Sequence, residues 1–268
     1  MQLPTSSTLN LTVERDVLFA TLNRPARKNA MNGELLDALQ EAFAWANQQD
    51  ALRAVVLRGA GGTFCAGADL SDIQNRSAVA SEDPVGDMAV HNRRFGAISE
   101  AANDLEVPLV AVVEGVALGG GFGLTCVADI ALAHVDTLFG LPETQLGLVP
   151  AQIAPFVIQR IGVMATRKVA LTGARFRAQE AKTLGLVDEV FDSTEALELG
   201  LEQTLSAILR CGPQANRATK RLLREISGRP DSSQLDAGAR VFATCALSDE
   251  GREGNEAFLQ KRKPDWTR

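Results

Sequence analysis

Two glycine-rich segments, residues 61–70 and 115–123, have the composition of loops that stabilise an oxyanion. Each follows a short apolar run, residues 54–57 and 109–113, that is typical of a buried strand. Glycine and alanine directly after a strand leave backbone N–H groups uncovered, so a ligand can approach the main chain. Two such N–H groups from separate loops would stabilise negative charge on a reacting oxygen. The second segment is expected to open a helix, whose dipole adds to this field.

Glu143 is the acidic residue best placed for proton transfer. It lies in residues 139–150, an apolar stretch with turn residues at both ends. Apolar surroundings disfavour an ionised carboxylate and raise its pKa toward the range useful for acid–base catalysis. Local spacing fits a structural role equally well, in which Glu143 caps a short helix after Pro142.

Other reactive side chains fit structural roles better than catalytic ones. Cys65 lies inside the first glycine segment but has no histidine near it in sequence, which favours packing. His91 and His134 are expected to be packed or solvated. Asp69 and Asp129 adjoin predicted elements, where capping or loop-tying is the commoner use. The sequence contains no P-loop, no Ser–His–Asp set and no metal-ligand spacing.

The composition is that of an ordinary α/β protein. The chain has 268 residues, 46% of them hydrophobic and 22% charged, with a net charge of −6. This acidity argues against a broad nucleic-acid surface. No apolar run approaches the roughly 20 residues of a membrane span, and the first residues lack signal-peptide features, so we expect a cytoplasmic protein. Four basic residues share one predicted helical face, which we interpret as solvated: Arg217, Lys220, Arg221 and Arg224.

The elements that position these groups follow from hydrophobic periodicity. Residues 9–14 and 17–22 alternate as a strand pair, and residues 33–48 have helical spacing. The polar stretch 71–87 is expected to be a mobile surface loop beside the substrate entrance, followed by a helix over 88–103.

The second half of the chain is predicted to be mostly helical. Strands are expected at 128–133, 137–140 and 187–191. Four helices are expected after residue 193, with breaks near residues 212–213, 228–230 and 249–251. Strands alternating with helices imply a layered α/β fold with parallel pairing. We therefore divide the chain into a core with the active site, residues 1–192, and a helical oligomerisation region, residues 193–268.

Taken together, the motifs resemble those of the crotonase (enoyl-CoA hydratase/isomerase) superfamily. The resemblance covers nearly the whole chain and rests on residues 22–25 with 28–30, 64–70, 117–121, 139–143 and 258–266. It implies a ClpP/crotonase-like spiral of ββα units with a helical C-terminal trimerisation region. It further implies a homotrimer, or a homohexamer built as a dimer of trimers.

The same resemblance assigns roles within the site. The backbone N–H groups of Ala68 and Gly120 match the family's oxyanion hole, and Glu143 matches a catalytic glutamate. Contacts to the acyl-CoA substrate are implied for Arg24, Lys28, Ala66, Asp69, Leu70 and Gly119, and, from a neighbouring subunit, for Phe258 and Lys261. No metal and no separate cofactor are expected, because coenzyme A is part of the substrate.

One position departs from the family pattern. Typical hydratases resembling this chain carry a second glutamate where this chain has Gly123. A single carboxylate suffices for a Δ3,Δ2-enoyl-CoA isomerase, and it also permits hydration if another group holds the water. Residues 143–157 look like the equivalent stretch of 3-methylglutaconyl-CoA and isohexenylglutaconyl-CoA hydratases, which act in leucine and acyclic terpene catabolism. We also expect small side chains to leave room for a branched acyl group, at Gly123, Ala117, Ala151 and Ala154.

These observations lead to a functional prediction. The chain is interpreted as a lyase that adds water to a branched α,β-unsaturated acyl-CoA. The isomerase is the first alternative, and a non-catalytic relative that binds a CoA ester or RNA is the second. Retention of Glu143 together with both amide positions favours an enzyme.

Overall fold

The computed structural model describes residues 2–77, 82–226 and 232–267. Its strands are β1 (Leu9–Glu14), β2 (Val17–Leu22), β3 (Ala54–Gly59), β4 (Leu109–Val113), β5 (Val116–Leu118), β6 (Ile130–His134), β7 (Leu138–Gly140), β8 (Arg175–Arg177) and β9 (Glu189–Phe191). Its helices are α1 (Gly33–Asn47), α2 (Leu70–Ser77), α3 (Pro84–Asn103), α4 (Gly120–Cys126), α5 (Ala154–Thr172), α6 (Ala178–Thr183), α7 (Thr194–Leu209), α8 (Pro213–Glu225), α9 (Ser232–Leu247) and α10 (Asp249–Leu259).

A six-stranded sheet in the order β1-β2-β3-β4-β6-β9 forms the centre of the fold. The predicted pair β1 and β2 is antiparallel, and every other pairing in this sheet is parallel. A second sheet has the order β5-β7-β8. Because β3 and β4 are parallel neighbours, their carboxyl ends lie at one edge, where α/β proteins bind ligands.

The central strands are apolar on both faces because each face packs against a separate core. Val55 and Leu57 of β3 face the larger core, which includes the buried side of α1. Val56 faces the second core with Leu201 and Leu205 of α7. Strands buried on both sides read as continuous apolar runs, which is the pattern that identified β3 and β4 in the sequence.

The predicted loop over residues 71–87 is wrong for most of its length. Residues 70–77 form α2, and α3 begins at Pro84, four residues before the predicted start. Asp83 caps α3 by accepting a hydrogen bond from the Gly86 amide at 2.9 Å, and proline is favourable at the first helical position. Over residues 71–77 and 84–87 the polar composition therefore reflects solvated helical surface rather than loop, and residues 78–81 of the prediction lie outside the described residues.

The interpretation of the basic face of α8 is wrong for two of its four residues. Arg217 and Lys220 are buried. Lys220 Nζ lies 2.5 Å from the carboxylate of Asp129, and Arg217 donates to the carbonyl of Leu52 at 3.0 Å. Burial lowers the pKa of Lys220, and Asp129 opposes that effect. These side chains attach α8 to the core, which also supports the structural role predicted for Asp129.

The remaining differences are small. The sequence did not predict β8, which is only three residues long and pairs antiparallel with β7. Helices α7 to α10 follow residue 193, as predicted, although the predicted break at 228–230 lies outside the described residues. Among the helices of the described chain, none combines the length and apolar character that crossing a bilayer requires.

Candidate active site

The two glycine-rich segments run side by side beyond the ends of β3 and β4. The amide of Cys65 donates to the Val116 carbonyl at 2.9 Å, and the Leu118 amide donates to the Cys65 carbonyl at 3.0 Å. Cys65 and Ala117 thus form a parallel bridge. This pairing extends the adjacency of β3 and β4 into the loops and explains why the segments converge.

Convergence brings the two candidate oxyanion amides to one place. Gly67 has a φ of +98°, and a Cβ added there would lie 3.5 Å from the Gly120 nitrogen. The amide of Gly120 opens α4, where the first N–H groups of a helix have no intrahelical acceptor. Within the described residues, no carbonyl accepts a hydrogen bond from Ala68 N–H or Gly120 N–H. Both donors therefore remain available to a ligand.

Glu143 lies against the same glycine segment. Its Oε1 atom would be 2.9 Å from a Cβ added to Gly119, whose φ is +51°. Its Oε2 atom is buried and has no hydrogen-bond partner among the described residues. Burial raises the pKa of Glu143, and the opposing effect of its own backbone N–H is smaller. A half-buried carboxylate with an unused oxygen and a raised pKa is suited to take up and release a proton.

The alternative role of Glu143 as a helix cap has little support in this geometry. A short 3-10 turn spans Glu143–Leu146, but Pro142 is its capping residue and no side chain caps it.

One cavity of about 260 Å³ joins these groups. Ala68, Gly120 and Glu143 all line it, together with Ala66, Gly67, Leu70 and Gly119 from the predicted substrate-binding segments. The rest of its wall is largely apolar and comes from α3 and the chain before α5: Met88, His91, Asn92, Phe95, Pro142, Leu146, Leu148, Val149, Pro150, Ala151, Gln152 and Ile153.

The expected space at Gly123 is not present. A Cβ on Gly123 would overlap Ile153 Cγ2 and lie 2.9 Å from Ile153 Cβ. Ile153 therefore fills the direction in which a second glutamate would project. Of the other small residues, Ala151 lines the cavity, whereas Ala117 is fully buried in the core and Ala154 is not part of the described cavity wall. The predicted room for a branched acyl group thus exists only at Ala151.

The segments predicted to hold coenzyme A are tied to each other. Arg24 Nη2 lies 2.9 Å from Asp69 Oδ2, and the Ala66 amide donates to the Lys28 carbonyl at 2.9 Å. Burial alone would raise the pKa of Asp69, but hydrogen bonds from Ser71 and Arg24 together lower it. Asp69 therefore ties the loop, and neither Arg24, Lys28 nor Asp69 lines the described part of the cavity.

The two C-terminal candidates lie apart from these segments. Lys261 follows α10, is exposed and does not line the cavity. Phe258 is in α10, and its side chain lies outside the described residues. Because both were expected to act from a neighbouring subunit, their roles stay predictions.

The remaining reactive side chains are packed. Cys65 is fully buried, and burial raises its pKa to about 12, which disfavours a thiolate nucleophile. His91 is buried with Nε2 3.9 Å from Asp72 Oδ2 and its ring edge-on to Phe95. His134 Nδ1 accepts a hydrogen bond from a backbone amide two residues along the chain. No cluster of three metal-ligating side chains occurs among the residues that are described.

Sequence reasoning missed two groups of site residues. Met88, Asn92 and Phe95 form the α3 wall of the cavity; the sequence predicted the helix that carries them but gave no sign that this face of it meets the glycine segments. Asn29 is fully buried, accepts from the Arg24 amide at 2.8 Å and donates to the Ala60 carbonyl at 2.9 Å. It anchors the 24–28 segment to the first glycine segment.

Comparisons with known proteins identify relatives over nearly the whole chain. A family model described as enoyl-CoA hydratase/isomerase matches residues 12–268. The fold is similar to the solved structure of Pseudomonas aeruginosa AtuE, with a TM-score of 0.93 and 47% identity over 97% of this chain and 100% of that one. The 2,3-dehydroadipyl-CoA hydratase of Escherichia coli K12 is 34% identical over 97% of this chain and 98% of its own length. The mevalonyl-coenzyme A hydratase sidH of Aspergillus fumigatus is 31% identical over 93% and 91%, respectively.

Proposed function

The chain belongs to the enoyl-CoA hydratase/isomerase family and has the crotonase fold that the sequence predicted, and from this premise we propose that it adds water to a branched α,β-unsaturated acyl-CoA. The leading substrates are isohexenylglutaconyl-CoA and 3-methylglutaconyl-CoA. A single cavity lined by Ala68, Gly120 and Glu143 carries the proposal.

The two free amides supply the electrostatic part of the mechanism. The thioester oxygen of the substrate accepts hydrogen bonds from Ala68 N–H and Gly120 N–H. Attack at Cβ moves electron density onto that oxygen, so the bonds strengthen as the enolate forms. Losing one donor of such a pair typically costs about 3 kcal/mol of transition-state stabilisation.

Glu143 carries the protons. As the water oxygen bonds to Cβ, one water proton passes to the Glu143 carboxylate. The same proton then moves to Cα as the enolate collapses to the thioester, so the carboxylate is regenerated and all atoms of water are in the product. A raised pKa suits a group that must accept and then release a proton.

The branched substrate class has two sources of support. Residues 143–157 resemble the equivalent stretch of hydratases for 3-methylglutaconyl-CoA and isohexenylglutaconyl-CoA. Of the relatives described above, the mevalonyl-coenzyme A hydratase is named for a branched ester, whereas the 2,3-dehydroadipyl-CoA hydratase is named for a linear one that carries a second carboxyl group. The proposed place of the reaction is accordingly catabolism of leucine or of acyclic terpenes.

A Δ3,Δ2-enoyl-CoA isomerase is the second candidate, and the packing of Ile153 against Gly123 favours it. With that direction filled, Glu143 is the one carboxylate side chain on the described cavity wall. One carboxylate is enough to move a proton between two carbons.

Incorporation of solvent oxygen tests the two reactions against each other. The protein is incubated in water enriched in oxygen-18 with linear, branched and carboxylated 2-enoyl-CoA esters, and with their 3-enoyl isomers. Hydration places one heavy oxygen in a 3-hydroxyacyl product, with the branched and carboxylated esters turning over fastest. Movement of the double bond without label would show that the enzyme is an isomerase and would end the hydratase proposal.

Assembly and coenzyme A binding complete the proposal. A trimer or a dimer of trimers would bring Phe258 and Lys261 of one subunit to the coenzyme A bound by another. The joined segments around Arg24 and Lys28 would hold the remainder of that group.

A further inference from the structure

One part of the cavity wall is polar, although most of the wall is apolar. Asn92 and Gln152 both line the cavity, and neither carboxamide hydrogen-bonds to another described residue. None of the described residues on the wall is lysine or arginine. If the acyl chain of the substrate carried a free carboxylate, a cation to pair with it would therefore have to come from a residue just behind this wall.

Gly96 of α3 shows where that cation is. A Cβ added to Gly96 would overlap Gln152 Oε1 and lie 2.7 Å from Arg93 Nη1. The carboxamide of Gln152 and the guanidinium of Arg93 thus meet above the same backbone position. Asn92 is four residues before Gly96, so the two share one face of the helix. We call Asn92, Arg93 and Gln152 the polar corner.

The guanidinium of Arg93 is free to change partners. It is bonded to Glu100 at 2.6 Å, with 53% and 54% of the two side chains exposed. An ion pair with this exposure contributes little to stability, so exchanging it for a ligand carboxylate has a small cost.

We infer that the polar corner binds a second carboxylate on the acyl chain of the substrate. The inference rests on the proposed function and deepens it, because it assigns specific residues to the free carboxylate that both leading substrates carry. A carboxylate has about four acceptor sites, and the amide N–H groups of Asn92 and Gln152 with the Arg93 guanidinium supply matching donors. The neighbouring apolar wall would hold the hydrocarbon branch.

Two esters with the same carbon branch point isolate this contact. 3-Methylglutaconyl-CoA differs from 3-methylcrotonyl-CoA by a carboxylate in place of a hydrogen on one methyl group. We compare kcat and KM for both esters in the wild type, in Arg93→Gln and in Gln152→Leu. Arg94→Gln is the matched control, because Arg94 donates to the Gly33 carbonyl at 3.0 Å on α1 rather than reaching the polar corner.

The expected result is a loss of specificity. Arg93→Gln and Gln152→Leu lower kcat/KM for 3-methylglutaconyl-CoA by about ten- to a hundredfold, the usual effect of losing a hydrogen bond to a charged group. Most of the change is in KM, and kcat/KM for 3-methylcrotonyl-CoA stays within about twofold. Arg94→Gln leaves the ratio of the two esters unchanged.

The outcomes separate this inference from the proposed function. An equal decrease for both esters, or no decrease for either, overturns the polar corner and leaves hydration of branched esters standing. Failure of the wild type to hydrate either ester overturns both.

Discussion

Replacing Glu143 with glutamine removes the titratable carboxylate from the cavity with almost no change in shape. General acid–base catalysis by one group usually contributes about 10²- to 10⁴-fold. Glu143 is the one carboxylate on the described cavity wall, so both proton transfers depend on it. We therefore expect kcat to fall by about 10⁴-fold, which corresponds to about 5 kcal/mol of activation free energy.

The assay measures chemistry and binding separately. Loss of the conjugated thioester absorbance gives kcat, and calorimetric titration with a saturated acyl-CoA gives Kd. The glutamine side chain keeps the packing of Glu143 against Gly119, so Kd should change by less than about threefold, well under the tenfold that 1.4 kcal/mol produces. Glu189→Gln, at an exposed position of β9, is the matched control and should retain full activity.

Glu143→Gln should also change how the stability of the protein depends on pH. Burial raises the pKa of Glu143 in the folded protein above its unfolded value. Its contribution to stability is therefore fully present below the ordinary carboxyl pKa and is lost as pH rises through the raised one. Glutamine does not titrate, so the Tm of Glu143→Gln relative to wild type should increase over that pH interval. Glu189→Gln should show no such increase.

Two results would refute this reasoning. Full turnover by Glu143→Gln would exclude the carboxylate from the proton transfers. A loss of activity accompanied by an equal loss of binding and a lower Tm at neutral pH would show that Glu143 has a structural role.

Three further predictions test the packing around the site. Gly123→Glu should lower the free energy of unfolding in urea by about 1–3 kcal/mol, because the new side chain would overlap Ile153. Adding Ile153→Ala to the same chain should recover part of that loss. An unchanged unfolding curve for the single variant would contradict the overlap. Gly67→Ala places a Cβ on a residue with φ of +98° and displaces the adjoining oxyanion amide. We expect kcat to fall by about 10²- to 10³-fold while the circular dichroism spectrum is preserved. A wild-type kcat would disprove the role of this amide. Lys220→Met leaves Asp129 without its cation and should cost about 3 kcal/mol in urea unfolding, whereas a neutral effect would mean that the pair contributes nothing.

Much of the fold was predictable because its signals are local. The alternation of β1 and β2, the helical spacing of α1 and the apolar runs of β3 and β4 all follow from which faces are buried. The helix of residues 70–77 and the start of α3 were missed because serine, aspartate and glycine are typical of loops. The pair Asp83 and Pro84 was a local signal for the start of α3, since it supplies both a cap and a favourable first residue.

The candidate residues were predictable by type, but their surroundings were not. Glycine after a strand and a glutamate in an apolar stretch identify a donor and an acid from neighbours in the chain alone. The filling of space at Gly123 by Ile153 depends on how α4 meets the start of α5. The burial of Lys220 depends on how α8 packs against the core. Neither contact has a local signature.

The sequence by itself determined that the chain has two uncovered loops after parallel strands and a carboxylate among apolar residues. Only the tertiary structure decided that Ala68, Gly120 and Glu143 line one cavity, and that Asn92 and Gln152 line another part of its wall with Arg93 beside Gln152. The physical reason is distance along the chain. These groups are brought together by the pairing of β3 with β4 and by helix packing, and such long-range contacts leave no periodic pattern in the residues that make them.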